Sequence, residues 1–194
     1  MKTAGPLLIT HSGLSGPGIL RLSAWGAREL AERDYHFSIR VNWLPDVDVL
    51  SGLKTAREES GKRRIEIRSP FPELPKRLWS RLVAAAGIEP EKTWSELSKR
   101  DRKALVDQLT NAEFKVEGKS LNKEEFVTCG GVRLKEIDMR TMESKLCPGL
   151  YFAGEVIDVD GITGGFNFQN AWTSGWLAGS ASASTRGSRS PGLE

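Results

Sequence analysis

Cysteine and histidine are scarce in this 194-residue chain, with two of each. Cys129 and Cys147 form no CxxC pair, and neither they nor His11 and His36 cluster at metal-ligand spacing, which argues against a zinc site. Two histidines also leave few candidates for triad chemistry. No apolar run approaches the length of a spanning helix and no signal peptide opens the chain, so no membrane partner is expected. A cytoplasmic setting with free thiols is the expectation that follows. A strong charge of one sign is also missing: the net charge is +3 and the pI about 8.9. That is below the footprint of a dedicated nucleic-acid binder. The densest basic stretch, Lys54 to Arg68, is interrupted by Glu58, Glu59 and Glu66. It reads as a solvated face, with a phosphate or RNA patch as the minority reading. RNP, KH and helix-turn-helix signatures are absent, and no nucleic-acid partner is expected. The chain has no GxxxxGK[ST] loop, no EF-hand order of oxygen ligands and no repeat at periods of twenty to fifty residues.

What is present is ordinary globular composition, 39% hydrophobic and 27% charged, enough for one full core or two small ones. Residues 5–10 read as a short strand. The glycine-rich loop 12–18 follows, and Pro17 suits the first turn of a helix running to about Arg33. From Tyr35 to Trp43 apolar and polar residues alternate, which predicts a half-buried strand with His36 on its polar face. A helix is predicted over 46–59 and a short strand over 64–68, with Ile65 and Ile67 on one face. Pro75 opens a helix to about Ala86, which Gly87 ends. Ser98 with Asp101 marks the start of another, reaching Leu109. Brief strands are predicted at 114–116 and 125–129, and a hairpin within 132–145. Leu150 to Ala153 is a short continuous apolar run, of the kind buried in parallel sheets. A helix over 167–179 leads to a Ser/Ala/Gly/Arg-rich tail, 181–194, predicted to be disordered.

The stretch GLYFAGEVIDVDGITGGFNFQNAW (149–172) carries the chemistry. It orders a strand, a glycine and an acid, an acidic loop, a glycine pair and a helix. Ligands of α/β folds sit at strand ends beside helix N-termini. Glu155 can accept hydrogen bonds from polyol hydroxyls, and Gly154 removes bulk where a ligand approaches. Gly164 and Gly165 leave free N–H groups at the positive end of a helix dipole, and Asn167 and Gln169 add amide groups. The pattern suits a polyol joined to a planar, electron-accepting ring. From the residues alone two other readings stay open. The glycines can serve a tight turn, and Glu155 with Asp158 and Asp160 can form a solvated loop or a weak cation site.

This segment closely resembles the C-terminal flavin-binding segment of the BaiN/RdsA, or aminoacetone oxidase-like, family of FAD/NAD(P)-binding flavoproteins. ITHSGLSGPGIL (9–20) resembles a second family motif, and VTCGGVRLKEIDMRTMESK (127–145) a third. The resemblance implies an α/β protein, α+β as a fragment. It would comprise the C-terminal part of a split Rossmann-like FAD domain, part of an inserted β-rich domain and a small helical region. In this chain 1–70 would be the latter part of the β-rich insertion, 71–112 the helical region and 113–180 the return into the FAD domain. The family's GxGxxG segment, which holds the pyrophosphate, has no match here. The chain is therefore expected to be a C-terminal fragment of such a flavoprotein oxidoreductase. The alternative is a non-enzymatic truncated remnant that needs a complementary N-terminal chain to bind FAD.

By the same resemblance the activity is that of an oxidoreductase moving hydride or electrons through FAD, with NAD(P)H and a small-molecule substrate as further partners. Glu155 would bond the ribityl chain. Gly164, Gly165, Phe166 and Asn167 would lie against the flavin ring. Gly130, Gly131 and Gly154 would allow close passage, and Asp158 would order the loop. His11 is expected to be a hydrogen-bonded structural residue, with a place on the substrate side of the flavin as the minority reading, and Cys129 a small buried thiol. Thr141, Ser144 and Lys145 either brace the return strand or approach the flavin. No residue stands out as a catalytic acid or base.

Overall fold

The computed structural model describes residues 1–119, 129–161 and 164–187. In chain order the elements are β1 (Leu8–Ile9), β2 (Leu14–Ser15), α1 (Pro17–Glu32), β3 (His36–Val41), α2 (Val49–Ser60), α3 (Lys76–Ala85), α4 (Lys99–Thr110), β4 (Ala112–Glu117), β5 (Ile137–Asp138), β6 (Glu143–Ser144) and α5 (Gly165–Gly187). They form two compact units, 36–117 and 1–35 with 118–194. This division falls differently from the boundaries expected at 70 and 112. The reason is strand pairing: β3 runs antiparallel to β4 from His36 opposite Glu117 to Val41 opposite Ala112, and so encloses the helices between them.

Unit 36–117 has the larger apolar core. Helix α2 starts at Asp48, whose carboxylate accepts from the Ser51 amide (3.1 Å) and hydroxyl (2.7 Å). It buries Val49, Leu53 and Ala56, the stripe that 3.6-residue periodicity produces. Helix α3 follows Pro75 and buries Trp79, Leu82 and Val83. Helix α4 opens on a reciprocal cap: Ser98 Oγ accepts from the Asp101 amide, and Asp101 accepts from the Ser98 amide, both at 3.1 Å. It buries Leu105 and Leu109. The core centres on Trp79, which is stacked on Trp94 and edge-on to Phe71, each at 6.2 Å between centroids.

The strand expected at 64–68 is instead a 3-10 turn, Ile65–Ile67. Ile65 is fully buried while Ile67 is exposed, so the two do not share a face. The Ile65 carbonyl accepts from the Trp79 indole N–H at 2.8 Å, a bond that a strand ladder would have claimed.

Asp101 adds an electrostatic device to α4. Its carboxyl is pulled down to about 2, first by the Lys92 ammonium at 2.7 Å and then by the Ser98 hydroxyl. A carboxylate whose folded pKa lies below its unfolded value contributes stability that is present above the unfolded pKa and lost as pH falls through the folded one. Asp101→Asn is therefore expected to cost this unit about 1–2 kcal/mol near neutral pH. The difference should close as the pH drops from about 4 towards about 2. Urea unfolding followed by circular dichroism across that range measures it. A gap that stays constant down to the lowest pH would rule out the charge as its source.

The other unit pairs β1 with β2 and β5 with β6, both antiparallel. The predicted hairpin within 132–145 is the β5–β6 pair. The buried parallel strand expected at Leu150–Ala153 does not form. Tyr151 bridges Glu143 antiparallel, the Ser144 amide donates to the Leu150 carbonyl, and Leu150 is exposed. A short apolar run fixes neither strand direction nor partner, and here the β5–β6 hairpin supplies the partner. The one parallel pairing among the described residues is Val132 with Ile157. A Rossmann sheet is thus not seen among them, and the described fold is mixed α and β with two-stranded sheets. A small core gathers Ile137, Met142, Ile157 and Ala178.

Helix α5 runs on to Gly187, past the expected start of disorder at 181. Its late serines fold back onto it, Ser182 Oγ to the Gly179 carbonyl and Ser184 Oγ to the Ser180 carbonyl, both at 3.0 Å. Residues 188–194 and 125–128 of the predicted 125–129 strand lie outside the described residues. Among the described residues no helix is long and apolar enough to cross a membrane.

Candidate functional site

The segment singled out in the sequence forms a loop and helix start braced from three sides. Residues Gly154–Val156 make a 3-10 turn. Gly154 sits at φ +76, where a side chain would be strained, and its amide donates to Ser174 Oγ at 2.9 Å. Ser174 is buried inside α5 and donates in turn to the Asn170 carbonyl at 2.6 Å. One hydroxyl thereby ties the loop to the helix.

The second brace is the segment after Cys129. The Val132 amide donates to the Val156 carbonyl (2.8 Å), and the Asp158 amide to the Val132 carbonyl (3.0 Å). Gly131 makes this approach possible: at φ +154, a Cβ there would stand 2.5 Å from the Val156 oxygen. Gly130 (φ +104) faces open space.

The third brace comes from α1. Arg28 Nη2 reaches both carboxylate oxygens of Asp158, at 2.6 and 2.9 Å. Asp158, then the Cys129 sulfur, hold the guanidinium pKa above its usual value. Asp158 is thus engaged within the protein. Glu155 is exposed, and its carboxylate has no protein partner among the described residues.

At the start of α5, Asn167 Oδ1 accepts from the Gly161 amide at 2.9 Å, and its Nδ2 lies 3.5 Å from the Gly161 carbonyl. Its side chain is thus engaged within the protein. A Cβ on Gly164 or Gly165 would meet nothing within 4 Å, and the first turn of α5 carries no acid. An electron-rich group could therefore approach these amides without steric or charge conflict. Phe166 and Phe168 are exposed, with Trp172 stacked on Phe168 at 6.2 Å.

Several expected residues serve structure instead. His11 lies exposed, and the hydrogen-bonded role expected of it belongs to Thr10, whose Oγ1 accepts from the Gly13 amide at 3.0 Å. Cys129 is half-buried and Cys147 exposed, and both are free. Thr141, Ser144 and Lys145 brace the β5–β6 hairpin: Thr141 Oγ1 accepts from the Glu143 amide, Ser144 Oγ from the Cys147 amide, and Lys145 Nζ donates to the Lys135 carbonyl. Among the described residues no group of three His, Cys, Asp or Glu could hold a metal.

Sequence reasoning missed Arg28 and Ser174. Arg28 carried no signal, since its partner is 130 positions away. Ser174, a hydroxyl within an apolar helical stretch, carried a faint one.

Comparison with known proteins adds the following. The family model described as "HI0933-like protein barrel and H2TH domain" matches residues 1–127. The ribosomal RNA dihydrouridine synthase of Escherichia coli (strain K12) is 40% identical over 171 residues, covering 88% of this chain and 40% of that protein. The protein of the same name from Haemophilus influenzae is 37% identical over 174 residues, again 88% and 40%. A 3-dehydro-bile acid delta(4,6)-reductase of Clostridium scindens is 32% identical over 184 residues, 94% of this chain and 45% of the relative. The chain spans less than half the length of these relatives.

Proposed function

The chain belongs to the HI0933-like family, and from that premise we propose that it forms part of an FAD-dependent reductase that saturates an electron-poor ring double bond. The relatives' names support this reaction class. Dihydrouridine is uridine with one ring double bond saturated, and a delta(4,6)-reductase also removes ring unsaturation. The observation that carries the reading is the open backbone of Gly164 and Gly165 at the start of α5, together with the exposed Glu155 carboxylate, which has no protein partner among the described residues, on a loop tied to the same helix through Gly154 and Ser174.

Those residues fit the ring and ribityl portions of FAD. Glu155 would accept from ribityl hydroxyls. The backbone amides of Gly164, Gly165, Phe166 and Asn167 would donate to the ring edge where negative charge gathers on reduction, which favours the reduced state. Gly154, Gly130 and Gly131 keep bulk away from the approach. Asp158, tied to Arg28, holds the loop in shape and does not touch the cofactor. Bound FAD would supply hydride transfer, with NAD(P)H as the source of electrons. Nothing in this sequence fits the pyrophosphate, so we propose that a GxGxxG segment supplied by further polypeptide holds it. The substrate we favour is a uridine of ribosomal RNA, on the two relatives of higher identity. A small-molecule enone is the second reading, favoured by the bile-acid relative. A cytoplasmic setting goes with either.

The test is flavin content after desalting. The chain is measured alone with added FAD, and co-expressed with the GxGxxG-containing segment of one of the relatives. Visible flavin absorption retained in either preparation, and lost or weakened in Glu155→Ala, is the expected result. No flavin in either preparation, or full retention in Glu155→Ala, would overturn the assignment of this loop.

A further inference from the structure

We propose that the outward stripe of α5 is the docking face for the polypeptide that holds the FAD pyrophosphate. The proposal rests on the flavin reading of the start of α5 and adds the surface through which that site is completed.

Helix α5 has two apolar sides. Asn167, Asn170, Ala171, Ser174, Leu177 and Ala178 are buried or half-buried and recur at helical spacing, so they form the side that packs on its own unit. Phe168, Trp172, Gly175, Trp176 and Gly179 lie on the other side. At 100° per residue they fall within a stripe about 100° wide, with Gly165 at its head. Phe168 is 63% exposed, Trp172 69% and Trp176 77%. Trp172 stacks on Phe168, which joins the two rings into one apolar surface. A Cβ on Gly175 or Gly179 would meet nothing within 4 Å. Two glycines one turn apart leave a low step beside the tryptophan ridge, where another backbone can approach closely.

Water is the wrong neighbour for this stripe. A surface helix carries charge on its outer side. No Asp, Glu, Lys or Arg occurs from 165 to 185. The polar pair Gln169 and Thr173, bonded to each other at 3.0 Å, occupies one flank only. A contiguous exposed apolar patch of this kind marks a binding surface.

The missing charge also selects the occupant. Without Lys or Arg the stripe offers nothing to phosphates, which disfavours RNA. Helices that lie on a lipid surface carry basic residues along their polar side, and α5 has none from 165 to 185. Exposed tryptophans beside small residues suit the centre of a protein interface. The stripe starts at Gly165, where the flavin ring edge would lie. The pyrophosphate of the same FAD is one ribityl chain away, so the polypeptide that holds it must come close to the first turns of α5. The relatives have the length to supply it: this chain covers 40–45% of each, and more than half of each lies outside the match.

The test mixes the full chain with the part of the Escherichia coli relative that lies outside the match, after co-expression and as purified polypeptides. Stable capture is expected. Trp172→Lys/Trp176→Lys should weaken it by about 30-fold or more, the loss typical of an interface hot spot. Gly175→Leu/Gly179→Leu should also abolish capture. The melting temperature of that variant alone should hold or rise, because both sites are open and leucine favours a helix over glycine. Leu50→Lys, at an exposed apolar position on α2, should leave capture unchanged. Circular dichroism of each variant separates loss of the face from loss of the fold. No capture by the parent, equal capture by the parent and both α5 variants, or an equal loss in Leu50→Lys would overturn the proposal. A dimer of the chain alone, or binding of a labelled RNA stem-loop, that the tryptophan variant abolishes and that occurs without capture would give the face to that occupant instead. Flavin content is read separately. Capture that depends on the tryptophans but yields no flavin sinks the flavin reading and leaves the docking face. Flavin held by the chain without capture sinks the docking face and leaves the flavin reading.

Discussion

Trp79→Ala is expected to destabilise unit 36–117 by about 4–6 kcal/mol. The side chain is fully buried, stacked on Trp94 and edge-on to Phe71. Truncating a buried tryptophan costs about 3–5 kcal/mol through lost transfer energy and the cavity left behind. Losing the indole N–H also strands the Ile65 carbonyl, worth about 1 kcal/mol more. A unit of this size has about 4–12 kcal/mol in total, so the variant loses a third of its stability or more and should melt far below the parent. Trp79→Phe keeps most of the ring and should lose only about 1–3 kcal/mol. Far-ultraviolet circular dichroism with thermal and urea unfolding measures both. A Trp79→Ala protein that melts within a few degrees of the parent would show that the core is organised around something else.

The second large effect is at Gly131. An alanine Cβ there would lie 2.5 Å from the Val156 carbonyl oxygen, 2.8 Å from the Ile157 carbonyl carbon and 2.9 Å from the Asp158 amide. All three are backbone atoms and cannot swing aside. Gly131→Ala must therefore separate the two chain segments and break the hydrogen bonds that join Val132 to Val156 and Asp158. Backbone strain and the two lost bonds together come to about 2–4 kcal/mol. The damage falls on the loop holding Glu155, so flavin retention should drop sharply while unit 36–117 stays folded. Gly165→Ala makes the opposite case. Its Cβ meets nothing within 4 Å and it lies in a helix, so stability should be equal or slightly higher. Flavin retention should nevertheless fall, because the methyl group stands where the ring edge would approach. Measured together, flavin content should fall in both variants, while the melting temperature drops in Gly131→Ala and holds or rises in Gly165→Ala. If Gly165→Ala retains flavin fully, the ring does not lie over the start of α5.

How far the sequence could be read followed the range of the forces involved. Helices α2, α3 and α4 were legible because caps and apolar stripes act within four residues: Asp48 with Ser51, Pro75, and Ser98 with Asp101. Strand β3 and the centre of β4 (114–116) were legible from their alternation, although their pairing across the helices was not. The glycines of 149–165 marked a special backbone correctly, since Gly154 and Gly164 do adopt conformations closed to most side chains. Ile65–Ile67 and Leu150–Ala153 were misread because short apolar runs do not say which neighbour will take their hydrogen bonds. Trp79 took one, and the β5–β6 hairpin took the other.

Local capping, turn chemistry and periodicity were thus determined by the sequence alone, because their partners are close along the chain. Tertiary structure alone decided that Arg28 would clamp Asp158, that Ser174 would hold Gly154, and that Lys92 would pair with Asp101. Those outcomes depend on groups that meet only after the chain has folded, at separations where composition and spacing carry no directional information.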